Sequence, residues 1–174
     1  PDSSDLYEHK VASFVAEGVE LPVATDHEYI TDYNPVIAQM GLGKWVYGII
    51  GEELTTFAYG HFNPYPVVLD TTKPNNGALP WMNRSPPQLF GDVRKAWPNA
   101  VFEINHPRSS PIAGYFNYVG YDAANGKVRH PDQWSLEFDA LEVFNDSGWN
   151  SNKGKTVRDW FSLLDRGKRT TAVG

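Results

Sequence analysis

The stretch Val23-Ala24-Thr25-Asp26-His27-Glu28 sets three side chains that can carry protons or bind cations directly after a short apolar run. The arrangement recurs along the chain. "IIGEELT" carries Glu52 and Glu53 after its apolar start, "FEINHPR" ends in Asn105, His106 and Arg108, and "LEVFND" carries Glu142, Asn145 and Asp146, while His61 stands in "GHFN". Imidazoles and carboxylates gathered at one rim suit a divalent metal: imidazole favours zinc, iron or nickel, and carboxylate favours manganese and bridges two ions. The chemistry such a rim supports is hydrolysis, since the metal lowers the pKa of bound water and polarises the bond under attack. An arginine such as Arg108 can hold a phosphate by two hydrogen bonds.

Taken singly, each residue has a plainer reading. His27 can serve as a turn or cap residue, Glu53 as a solvated strand end, and Arg108 as an ordinary surface cation. The joint pattern is what points to a site, because unrelated roles would not set these groups at matched strand ends. His9 and His130 fall in polar segments and are expected in solvent.

The elements that must position these groups can be read from periodicity. Helices are expected over 5–18, 34–41, 86–100 and 153–167, the last with Val157, Trp160, Phe161 and Leu164 on one face. Strands are expected over 19–25, 45–56, 59–69, 100–107, 139–146 and 168–174. Residues 70–85 read as a loop, and the long, aromatic-rich 108–138 segment as a functional loop. Strands alternating with helices predict an α/β fold with a largely parallel sheet or barrel, in which ligands bind at the C-terminal ends of strands.

Composition limits the function. The 174 residues suit one domain, and the formal net charge of −6 opposes a nucleic-acid interface, which needs a basic patch. With no cysteine there is no disulfide, thiolate metal site or cysteine nucleophile. No apolar run approaches the roughly 18 residues that span a membrane. The compartment stays open between periplasmic or secreted and cytoplasmic.

In order along the chain, "VATDH" (23–27), "GEELTTFAYGHFN" (51–63), "INHPR" (104–108) and "LEVFN" (141–145) resemble the motifs of PHP-domain proteins, the polymerase-and-histidinol-phosphatase superfamily, and within it a carbaryl-hydrolase-like branch. Glu53 follows His27 by 26 residues and His61 follows Glu53 by eight. The resemblance covers nearly the whole chain. It implies a distorted (β/α)7 barrel, TIM-barrel-like, with two or three divalent ions (zinc, manganese or iron) at its rim. It further implies His27 as a ligand, Glu53 as a bridging carboxylate, His61 and His106 as ligands of a second ion, and Asp2 as a ligand of a third. Asp26 would be a catalytic neighbour, and Arg108, with Asn105 and Asn145, would face the substrate. The implied activity is a metal-dependent hydrolase using a metal-activated hydroxide, foremost a phosphoesterase acting on a small phosphate ester. A carboxylester or carbamate hydrolase, or a non-catalytic sugar- or protein-binding module, is the alternative. The family's opening H-x-H and closing D-x-H motifs are not in these residues, so a partial domain lacking its first and last strands is expected.

Overall fold

The computed structural model describes residues 4–109, 114–145 and 149–174. Among them are five α-helices and seven short strands in two sheets, a mixed α/β architecture with no closed barrel. The chain divides into two compact units, Pro1–Glu53 with Tyr65–Ala78, and Leu54–Pro64 with Leu79–Gly174. No helix among the described residues is long and apolar enough to cross a membrane.

The first unit holds α1 (Tyr7–Ala16), β1 (Val23–Ala24), α2 (Asn34–Gln39) and β2 (Ile49–Ile50). Val11, Phe14 and Val15 share one side of α1 and meet Ile37 of α2 in a core with Ala24, Tyr33 and Val46. Asp32 starts α2 by accepting the Asn34 N–H at 2.9 Å, and Pro35 supplies a preset first turn. The Asn34 side chain then ties the helix to the strand entry, donating to the Gly48 carbonyl at 2.8 Å and accepting its N–H at 2.9 Å. A Cβ on Gly48 would sit 3.2 Å from the Tyr33 Cβ, so this close approach needs glycine. β1 and β2 pair in parallel, Val23 with Ile49 and Ala24 with Ile50. Both are shorter than their expected spans. Pro22 cannot donate to a ladder, though its carbonyl accepts from Ile49 at 2.8 Å.

The second unit holds β3 (Leu54–Thr55), β4 (His61–Tyr65), α3 (Pro86–Ala96), β5 (Val101–Asn105), α4 (Tyr115–Val119), β6 (Ala140–Glu142), α5 (Gly154–Asp165) and β7 (Thr171–Val173), with sheet order β3-β4-β5-β6-β7. β5, β6 and β7 run parallel, as expected. β3 and β4 instead form an antiparallel hairpin, Leu54 opposite Phe62 and Thr55 opposite His61. Its turn is closed by the Thr56 hydroxyl, which donates to the Gly60 carbonyl at 2.7 Å and accepts the Tyr59 N–H at 3.1 Å. α3 begins at a capping box between Ser85 and Gln88.

The core of this unit is built from rings. Phe62, Phe90, Phe102, Tyr115 and Phe116 are fully buried, with Phe90 4.9 Å from Phe102 and 5.1 Å from Phe62. Two sequence expectations change here. The 108–138 segment, expected as an irregular functional loop, contains α4, and Tyr115, Phe116 and Tyr121 turn inward, Tyr121 stacked on Trp134 at 5.4 Å. On the expected face of α5, Val157, Trp160 and Leu164 are only half-buried and Phe161 is exposed; Gly154, Thr156, Asp159, Ser162 and Leu163 are the fully buried positions. Polar burial is tolerated because each group is bonded. Thr156 donates to the Val143 carbonyl at 2.9 Å, and the Ser162 hydroxyl meets the Tyr121 hydroxyl at 2.8 Å.

Candidate functional site

In the second unit, His61 opens β4 and His106 directly follows β5, its neighbour in the sheet. Their rings lie edge to face with centroids 4.7 Å apart. His106 has a φ of +26°, a region that side-chain-bearing residues seldom enter. Its backbone N–H is held by the Glu142 carboxylate at the end of β6. The other Glu142 oxygen accepts the Asn145 side-chain amide at 2.8 Å, so the carboxylate is fixed from both sides. Ser109 Oγ lies 3.0 Å from His106 Nδ1. In the tautomer whose Nδ1–H donates to Ser109, Nε2 is the ring atom that would act as a ligand. A cleft of about 40 Å³ lies beside His106, Ser109 and Glu142.

The first unit brings a second pair together. His27 follows β1 and Glu53 follows β2, and the two are bridged in parallel register. Glu53 N–H donates to the Asp26 carbonyl at 3.0 Å and the Glu28 N–H donates to the Glu53 carbonyl at 2.9 Å. His27 Nδ1 stands 3.7 Å from Glu53 Oε1. Asp26 is 2% exposed, and its charge, together with the larger effect of burial, pushes the Tyr33 hydroxyl up to about 12. Glu28 takes a φ of +48°, so the turn after β1 aims successive residues differently from a continuing strand.

His27, Glu53, His106 and Glu142 therefore stand at C-terminal strand ends, as expected. His61 opens its strand, because the hairpin reverses the chain before it. Asp2 and Asp146 lie outside the described residues.

Arg108 departs from its expected role. Its Nε and one terminal nitrogen grip both Asp159 oxygens at 2.7 and 2.8 Å. The remaining donors reach the carbonyls of Tyr121 (2.7 Å) and Phe116 (3.3 Å) and Asn117 Oδ1 (3.3 Å). All five guanidinium N–H groups are engaged, so none is left to bind a substrate anion. Asp159 is 1% exposed; burial pushes its carboxyl up, and the Arg108 hydrogen bonds and charge oppose that. Asn145 is likewise committed, to Glu142. Asn105 is 5% exposed and donates to Asn63 Oδ1 at 2.9 Å, while its own Oδ1 has no hydrogen-bond partner.

Ser109 was not singled out from the sequence, and Glu142 was noted there only as a strand-end carboxylate. Ser109 orients His106 from three residues downstream, and Glu142 clamps its backbone from another strand. The first was legible as a hydroxyl near a histidine; the second needed the β5–β6 pairing. Comparison with protein-family models, curated proteins and solved structures returns no match.

Proposed function

We propose that the chain carries the ligand rim of a metal-dependent hydrolase of PHP-like barrel ancestry, with phosphate esters as the first substrate class. The observation that carries this reading is the paired His61 and His106 imidazoles, one of them held in a strained backbone with its Nδ1 against a hydroxyl. On the family resemblance, Glu53 of the first unit is the proposed bridging carboxylate. His27, beside Glu53, is the ligand proposed for a second ion.

The donor set fits such a group. Two neutral imidazoles and carboxylate oxygens are the ligands zinc, manganese and iron take. A divalent ion held there would supply Lewis acidity and an acidified water. The protein's own part is to hold ring orientations. Glu142 fixes the His106 backbone, Ser109 fixes its tautomer, and Asp26 fixes the Glu53 backbone through its carbonyl. Charge on the substrate would have to be met by the ions, because Arg108 is engaged elsewhere. That commitment favours a carboxylester or carbamate as the second substrate class.

Elemental analysis of the purified protein tests the reading, comparing wild type with His106→Ala and Glu53→Ala. Bound zinc, manganese or iron that falls in both variants supports it, and hydrolysis of p-nitrophenyl phosphate against p-nitrophenyl acetate then separates the two ester classes. Absence of metal from all three folded proteins rejects it and leaves a non-catalytic binding module.

A further inference from the structure

The first unit contains a groove of about 330 Å³ that the proposed hydrolase does not use, at the lower end of the size range of small-molecule sites. Tyr7 and Tyr29 line it, and both rings are exposed, 37% and 43%. Asp32, Thr71 and Asn76 line it as well. Their polar capacity is partly unused. Asp32 engages Asn34 through Oδ1 only, at 2.9 and 2.7 Å, leaving Oδ2 open. Asn76 uses its amide nitrogen on the Ile30 carbonyl at 2.9 Å and keeps its side-chain oxygen. Thr31 also lines the groove; it is 5% exposed, and its hydroxyl has no hydrogen-bond partner. A buried hydroxyl without a partner is uncommon in a folded protein, and this one belongs to a residue of the groove wall.

We propose that this groove binds a neutral polyhydroxylated ring, a sugar. Aromatic faces beside oxygen acceptors match a ligand with an apolar C–H face and a donor-rich edge. Two other ligand classes fit less well. An anion would meet the Asp32 carboxylate. A cation would find tyrosine rings, but Lys10 already stands 5.8 Å from the Tyr7 ring centroid and repels a second positive charge. The inference is independent of the metal reading, since none of the proposed ligands lines this groove.

The test is saturation-transfer NMR on the full chain with methyl glycosides of glucose, galactose and N-acetylglucosamine, with tetramethylammonium and inorganic phosphate as controls. The expected result is transfer to at least one glycoside at millimolar concentration, reduced tenfold or more in Tyr29→Ala and in Thr71→Val, with circular dichroism unchanged. Thr71 and Tyr29 sit outside the core contacts, so both variants keep the fold. No transfer to any glycoside overturns the proposal. So does transfer that survives both substitutions, or transfer to tetramethylammonium or phosphate in place of the glycosides.

Discussion

His106 and Arg108 stand two residues apart in one turn and end in opposite conditions. His106 has a strained backbone, a clamped N–H and a ring nitrogen set against the Ser109 hydroxyl. Arg108 has every donor committed, most of them to a buried carboxylate and to main-chain carbonyls. A polar residue at a strand end is therefore no sign of function by type alone. What separates the two is what the fold commits each side chain to: a buried carboxylate for Arg108, a neighbouring hydroxyl and a second imidazole for His106. Arg108 staples α5 to the turn after β5; His106 is positioned by Glu142 and Ser109.

The comparison predicts its largest effect at the staple. Asp159→Ala leaves a buried guanidinium unpaired and should lower the unfolding free energy by about 3–5 kcal/mol. His61→Ala and His106→Ala, at partly exposed positions, should cost about 1 kcal/mol or less. Urea denaturation of the three variants checks this, and equal losses would erase the distinction. A double change, Arg108→Met with Asp159→Leu, should recover most of the lost stability, because it removes both charges and keeps the volume.

The rim should respond where the staple does not. If His106 is a ligand, Ser109→Ala and Glu142→Gln should each weaken metal binding by about 10–100-fold while the fold persists. Chelator competition reads that change. An unchanged affinity in both variants would mean that neither side chain orients the imidazole, and the positioning role argued for them would fall.

This contrast also marks how far the sequence could be read. The strand-end pattern located His27, Glu53, His106 and Glu142, because apolar runs that stop at polar residues report a real feature of parallel strands. It could not separate Arg108 from His106, since the partner that decides, Asp159, lies 51 residues on and on the buried face of a helix. Periodicity found only part of the buried side of α5 for the same reason. It counts apolar residues, and here hydrogen-bonded Thr156, Asp159 and Ser162 are the ones inside. The hairpin was hidden because only Leu54–Thr55 of the 45–56 span pairs with β4, after the chain has already paired Ile49–Ile50 with β1.

A finer break in the comparison concerns the backbone of His106. At a φ of +26° any residue with a Cβ is strained, and glycine is not. His106→Gly should be more stable than His106→Ala by about 1 kcal/mol, although both lose the same ring. If the alanine variant is the more stable, the turn is not strained at this position and the argument that it is held for function loses its support.

The smallest effect falls on a carboxylate that is committed yet exposed. Asp70 accepts the Thr72 hydroxyl at 2.6 Å and the Thr72 N–H at 3.1 Å, and Lys73 Nζ lies 3.1 Å away. These bonds, led by the Thr72 hydroxyl, hold its pKa below the ordinary carboxylate value of about 3.9. The sign follows from linkage. A depressed folded pKa means the unfolded chain takes up a proton first as pH falls, so the contribution of Asp70 is complete above the ordinary value and fades as pH drops through the folded one. Asp70→Asn should therefore melt slightly below wild type at neutral pH, and the two melting curves should converge in acid. A gap that stays constant across that range would assign the effect to the lost geometry of the turn and remove the charge from the account. Solvent and salt screen this carboxylate and do not reach Asp159, so added salt should narrow the Asp70 gap while leaving the Asp159→Ala loss in place.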